Sequence, residues 1–388
     1  MKKVILAMLA LSSMAVAQAQ SSVTMYGLLD LGYVGTNYTG VSTTATTKQT
    51  TSGFGNSAEQ TSRLGFKGSE DIGGGTSAVF TVETMLLPNS ATVSTWNTRQ
   101  AFVGIKQKNI GTVAIGTQYT PLFLAVTATD AGQMNNSIGD VIFGSNPQSV
   151  GSSGSAPYAG ASSDSGTANG MTVRLSNSLT FTSEKFNGFG VNGMVVLNNK
   201  NTTQTSSTEG GNNNSYGYGL AADYTWNKLY TTLSYQSFTN SQIGTLTSPT
   251  PAIWSSASGG TNTTDNQFFI GSTYDFGRVK GFAQYIDRKA TSVIDSRYST
   301  ARTAQQIGVR SFITPTVEGW ASVGNGKVTS FGTGGTTANF VGYQLGSNYW
   351  LSKRTNLYAI LGQNKTTTES GITPISANSY AAGVRHTF

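Results

Sequence analysis

Apolar and polar residues alternate with a period of two along most of this chain. In 215–226, Tyr216, Tyr218, Leu220, Ala222 and Tyr224 share one parity, while Gly217, Gly219, Ala221 and Asp223 share the other. In 171–184, Val173, Leu175, Leu179 and Phe181 alternate with Thr172, Arg174, Ser176, Ser178 and Thr180. In 339–350, Val341, Tyr343, Leu345 and Tyr349 alternate with Gln344 and Asn348. At the C-terminus Tyr380, Ala382, Val384, His386 and Phe388 oppose Arg385 and Thr387. Successive side chains of a strand point to opposite faces, so each run predicts a strand with one apolar and one polar side. Sixteen such runs are placed at 22–36, 60–69, 76–86, 97–106, 111–119, 171–184, 189–198, 214–226, 228–239, 265–276, 278–288, 302–313, 315–325, 338–350, 354–365 and 377–388.

The connections alternate between tight and long. Glu70 to Gly75, Gln107 to Ile110, Lys185 to Gly188, Asn227, Gly277, Thr314 and Leu351 to Lys353 are tight; 37–59, 87–96, 120–170, 199–213, 240–264, 289–301, 326–337 and 366–376 are long and polar. Transmembrane barrels carry short turns on one rim and long loops on the other. Sixteen strands with both ends on one side need seven short and eight long connections, as counted here. The expected fold is therefore all-β: a transmembrane, antiparallel, up-and-down barrel of 16 strands. In hydrocarbon every backbone N–H and C=O must pair within the protein, so the sheet must close. The apolar faces would meet lipid and the polar faces would line the interior. Tyr26, Tyr119, Phe181, Trp226, Phe276, Trp320, Trp350 and Phe388 stand near strand ends, where aromatic girdles form. A soluble β-sandwich of this length is the competing fold; it would need two or three domains and more even connections. The Thr/Ser/Asn/Gly-rich stretches 41–57 and 199–213 look like linkers by composition, yet the same period continues on both sides of each.

Composition narrows the chemistry. Charged residues are only 11% of the 388, where a soluble domain carries about 25%. Without cysteine, thiolate catalysis, disulfides and cysteine metal sites are excluded, and a single histidine, His386, excludes a multi-histidine zinc site. No cofactor is expected. Lys2, Lys3, the apolar run from Val4 to Val16 and Ala17-Gln18-Ala19 have the order of a secretory signal peptide over 1–19, so the mature domain would be 20–388. Removing Lys2 and Lys3 lowers the net charge from +7 to +5. That mild excess, without a basic run, does not suggest nucleic-acid binding. No later segment is long and apolar enough for a spanning helix.

Several segments resemble the trimeric general porins of the β-proteobacterial outer membrane. They are Ser21 to Gly27, Ser62-Arg63-Leu64-Gly65-Phe66-Lys67-Gly68-Ser69-Glu70-Asp71 with its glycine turn, Asn177-Ser178-Leu179 after Arg174, Tyr274 to Gly277, Leu351 to Thr355 with Leu357-Tyr358, and Gly383-Val384-Arg385-His386 before Phe388. The resemblance runs from Ser21 to Phe388. It implies a homotrimer set among outer-membrane lipid and lipopolysaccharide, delivered by the barrel-assembly machinery with Phe388 as its signal. It implies passage for small hydrophilic solutes, and a third external loop, here 120–170, folded into the lumen to narrow it.

By the same resemblance the constriction has wall arginines at Arg63, Arg99 and Arg174, facing acids of the inserted loop, here Asp130, Asp140 and Asp164. Periodicity independently turns Arg63 and Arg174 inward; Arg99 shares parity with Ala101, Val103 and Ile105 and stays ambiguous. Lys67, Glu83 and Arg310 also fall on polar faces. A Pro-Glu-Phe-Gly-like loop signature is missing, and Thr117 stands where the family often has arginine. A cationic wall against few acids leans towards anions. A passive diffusion pore is the first reading and a channel specific for small organic anions the second. A barrel enzyme with a Ser–His mechanism would have to use His386, on the apolar face two residues from the end, and no paired-carboxylate motif stands out. A receptor acting through external loops is a further class.

Overall fold

The computed structural model describes residues 22–41, 46–90, 98–143, 171–206, 209–243, 262–332, 337–369 and 375–388. The expected signal peptide, Asp164 and the second half of the 120–170 connection lie outside the described residues. Seventeen antiparallel strand segments form one sheet. They are β1 (Ser22–Val41), β2 (Thr46–Asn56), β3 (Arg63–Gly73), β4 (Thr76–Met85), β5 (Thr98–Gln107), β6 (Gly111–Tyr119), β7 (Arg174–Ser183), β8 (Phe189–Ser206), β9 (Glu209–Trp226), β10 (Leu229–Ile243), β11 (Thr263–Asp275), β12 (Lys280–Ser292), β13 (Ser299–Phe312), β14 (Val317–Phe331), β15 (Thr337–Trp350), β16 (Thr355–Glu369) and β17 (Ile375–Thr387). One helix, α1 (Pro121–Thr129), follows β6. β1 pairs with β17 on one side, which closes the sheet. On its other side β1 pairs with β2 through Leu31–Val41 and with β3 through Ser22–Leu28. β2 and β3 are thus two halves of one stave, and the barrel has sixteen staves.

The face that meets lipid is the predicted one. Val103, Ile105, Val113, Ile115, Leu179, Leu220, Ile307, Val323, Leu345 and Leu361 are all more than 40% exposed on a single molecule, as side chains solvated by hydrocarbon rather than by a core must be. The first short turn runs through Gly73, Gly74 and Gly75 at φ +92°, +61° and +75°, a left-handed path that glycine follows without a Cβ clash.

Three expectations change. The polar stretches 199–213 and 41–57 are mostly strand: β8 continues to Ser206, β9 starts at Glu209, and β1 and β2 are joined by only 42–45. Beyond the apolar band both faces meet water, so the ladder persists while the alternation that signals it disappears. The proposed girdle splits: Phe181, Trp226, Phe276 and Phe388 are exposed. Tyr26 instead donates to Glu83, Tyr119 accepts from Arg99 of the inner wall, Trp320 is buried in an inner cluster, and Trp350 Nε1 reaches Glu318. Last, Val173 and Leu175 do not share the lipid face of Leu179. Val173 is 1% exposed inside the barrel and Leu175 packs on Met194, Val196 and Phe238. The register between β6 and β7 shifts between Gly116 and Gln118, opposite Asn177 at φ +54°, and this reverses the parity.

Candidate functional site

The connection after β6 turns into the barrel. Thr120 accepts from the Phe123 N–H at 3.2 Å as an N-cap, Pro121 takes the first helical position, and the Thr120 hydroxyl donates to the Thr172 carbonyl at 2.7 Å. Thr-Pro is a helix-start signal; it went unread in a chain dominated by period two. Helix α1 lays Leu122, Ala125 and Val126 on the inward-facing Phe269, Ile286 and Ala304 of β11, β12 and β13. The segment 130–143 then crosses to β13–β17. Arg310 Nη1 donates to the Ala131 carbonyl at 2.7 Å, Val141 N–H to Gln306 at 3.0 Å, Ile138 N–H to Ser379 at 3.1 Å, and Asn135 to Gln344 at 2.9 Å. Arg302 donates to the Val141 carbonyl.

Inward glycines form the bed of this segment. A Cβ on Gly308 would stand 2.6 Å from Ala131 Cβ, and one on Gly342 would stand 2.5 Å from the Gly139 carbonyl. On Gly324 it would run into Val141 and on Gly362 into the Ile138 carbonyl. Opposite, residues 57–62 leave the wall between β2 and β3 and clasp the loop. Asn136 N–H donates to Ala58 O at 3.1 Å, and its side chain to Ser57 O at 2.7 Å and Thr61 at 3.2 Å. Asp30 anchors the clasp, accepting from Glu59 and Gln60 N–H at 2.8 and 2.7 Å and from the Tyr358 hydroxyl at 2.6 Å.

Between the loop and β1, β3–β7 a cavity of about 540 Å³ stays open. Arg63, Arg99 and Arg174 all line it, with Tyr26, Tyr119 and Glu83. Arg99 Nε lies 2.8 Å from Glu83 Oε1 and its Nη2 donates to Tyr119 at 2.8 Å; Tyr26 donates to Glu83 Oε2 at 3.0 Å, and Arg63 Nε is 4.0 Å from the same oxygen. The ambiguity at Arg99 is removed by a bulge: Glu83 pairs with Gln100 but Thr84 with Thr98, so Arg99 is the extra residue and turns inward against the parity of Val103. Three guanidinium groups against one carboxylate give the lining side chains a net charge of +2 among the described residues.

Other predicted residues lie elsewhere. Lys67 is not among the lining residues and lies 5.4 Å from the Tyr26 ring centre. Arg310 holds the loop while its remaining nitrogens make a bidentate pair with Glu318 at 2.6 and 2.7 Å. Phe388, partly exposed at the margin of the cavity, exchanges backbone bonds with Gly27 at 3.1 Å, extending the β1–β17 seam. Asp130 and Asp140 do not face the opening. They are 3% and 1% exposed between loop and far wall, where Asp130 accepts from Met134 N–H at 2.7 Å and Asp140 from Ile142 and Phe143 N–H at 2.7 and 2.9 Å. The loop turns its acids towards Gln306, Arg302 and Arg310 of β13, which supply the donors and positive charge that buried carboxyl groups need. Arg288 and Arg302 were missed: Arg288 pairs with Asp265 at 2.6 Å. Their spacing with Gln284 and Gln306 was a usable signal, masked by Ile286 and Ala304, which the loop covers.

Burial, then the charge of Asp140, pushes the Asp130 carboxyl up to about 8, and burial raises Asp140 as well. An acid whose folded value lies above its unfolded value of 3.8 holds more protons when folded. Its contribution to stability is full below that value and declines as pH rises through about 8. The urea midpoint, read by tryptophan fluorescence, should therefore fall across this window, and Asp130→Asn should flatten the fall. An unchanged slope in the variant would remove Asp130 as the cause.

A sequence model described as Gram-negative porin matches residues 5–369. Outer membrane porin protein 32 of Delftia acidovorans is 33% identical over 132 residues, 34% of this chain and 35% of that protein, so this match spans about a third of its length. An outer membrane porin protein of Bordetella pertussis is 27% identical across 100% of both chains. Among solved structures, an anion-selective porin from Comamonas acidovorans superposes with a TM-score of 0.66 at 21% identity, covering 95% of this chain and 100% of that one. The trimer form of OmpT from Vibrio cholerae superposes at 0.56 and 14% identity, over 95% and 99% of the two chains.

Proposed function

This chain belongs to the Gram-negative porin family, and from that premise we propose that the arginine-lined cavity is the filter of a water-filled channel that favours anions. The protein is an outer-membrane porin: sixteen staves carry their apolar faces into lipid and enclose a polar lumen, through which small hydrophilic solutes and ions diffuse. The observation that carries the filter is the convergence of Arg63, Arg99 and Arg174 on one opening, facing a loop whose own acids are turned away. A fixed positive field in a low-dielectric wall concentrates anions and repels cations. The structurally similar porin from Comamonas acidovorans is anion-selective, which supports the same sign of selectivity.

The family consists of channels, and we infer that this chain catalyses no reaction; His386 contacts Thr355 on the exposed face. Assembly as a homotrimer, removal of residues 1–19 on export and recognition of Phe388 during assembly belong to this same reading. Reconstitution in planar bilayers tests it. Conductance should rise in steps grouped in threes, with a reversal potential in a salt gradient on the anion side. Folded protein that conducts nothing, or that prefers cations, would defeat the reading.

A further inference from the structure

The two sides of the cavity differ in chemistry, and a hydrated inorganic anion uses only one of them. One side carries Arg63, Arg99 and Arg174. The other is supplied by the inserted loop through Phe123, Leu124, Thr127, Met134 and Phe143, with Gln133 and Asn136 at its polar margin. Leu124 is 42% exposed although its helix neighbours Leu122 and Val126 are fully buried. The Thr127 hydroxyl donates its one hydrogen to the Phe123 carbonyl at 2.8 Å, so it has no proton to offer an anion. The Asn136 amide is drawn into the clasp. The two sides are joined by an aromatic bridge. Tyr119, which holds Arg99, stacks on Phe123 with ring centres 4.7 Å apart and planes 26° apart. A flat apolar surface therefore begins beside a guanidinium group.

We propose that this cavity is a binding subsite for small organic monoanions with an apolar body, such as aromatic carboxylates. The carboxylate would meet the arginines through charge-assisted hydrogen bonds, and the apolar body would cover the Tyr119–Phe123 and Leu124 surface and leave water. This rests on the anion-channel reading above and adds the solute class to it. Wetting of an apolar strip by bulk lumen water costs free energy that such a solute relieves, whereas chloride or acetate cannot.

The test uses the full mature chain in planar bilayers in chloride. Benzoate and acetate are added separately at constant ionic strength and the block of chloride current is titrated. Benzoate should block saturably, at a half-blocking concentration about tenfold below that of acetate, the size of step that apolar pockets give. Leu124→Ser, and independently Phe123→Ser, should shrink that ratio towards one. Equal block by the two anions, or none by either, in a channel that conducts and prefers chloride over potassium would overturn the subsite and leave the anion channel standing. A ratio that persists in both variants would also overturn it. A loss of chloride preference in the unsubstituted protein would instead strike the reading beneath.

Discussion

Gly362→Leu should give a channel whose single-pore conductance is at least ~2-fold larger, because the passage is set by how closely the loop lies on the wall. The glycine faces inward on β16, and the Ile138 carbonyl occupies the place where its Cβ would go. The obstacle is backbone, which cannot swing away as a side chain can. Overpacking of this kind costs about 1–3 kcal/mol, comparable to losing the bonds of Ile138 to Ser379 and of Gln344 to Ser137, which hold the loop at 3.1 and 2.7 Å. The staves themselves need not change, since β16 pairs with β15 and β17 through its backbone. Gly193→Leu is the control on the lipid-facing side, because no atom lies within 4 Å of a Cβ built there and its cross-strand partners Phe181 and Leu220 are exposed. Equal conductance in the two variants, with both barrels folded by circular dichroism, would show that the bed of glycines does not hold the loop.

Replacing Arg63 and Arg174 together by glutamine should nearly abolish ion preference. The lining charge falls from +2 to zero, leaving Arg99 and Glu83 as an ion pair at 2.8 Å. Focused fields in such clefts change local ion concentrations by tenfold or more, so the anion-to-cation permeability ratio should drop by roughly tenfold. Arg63 is the more accessible of the ion-paired arginines, with its side chain 26% exposed against 6% for Arg99. Its single substitution should therefore move the reversal potential towards cations. A double variant with an unmoved reversal potential would place the filter elsewhere in the lumen.

Of the candidate site, Arg63 and Glu83 were legible from parity, Arg99, Arg174 and the loop's insertion only through the family resemblance, and the face the loop turns to the wall was not legible. Arg63 and Glu83 stand on regular strands where parity alone decides direction. Arg99 could not be read, because a bulge inserts one residue and reverses every later side chain. Asp130 and Asp140 were expected at the opening and lie behind the loop instead. Which face of an irregular segment meets the wall depends on complementary surfaces far apart in sequence, here Gln306, Arg302 and Arg310. Tyr26 and Tyr119 were assigned to the lipid interface by position along the strand, a signal that ignores which side of the sheet they occupy.

Sequence alone was enough for the class of fold, the number of staves and the direction in which they face. Those properties follow from a local rule, since adjacent strand residues must point to opposite solvents and hydrocarbon tolerates no open edge. Where both faces meet water the rule carries no signal, so strand length beyond the membrane came only from the paired backbones of β8 with β9 and β1 with β2. The shape of the passage belongs to the tertiary structure. Its width and its two unlike sides arise where α1, the 57–62 clasp and the glycines of β13–β16 meet, and long-range packing of this kind leaves no period to read.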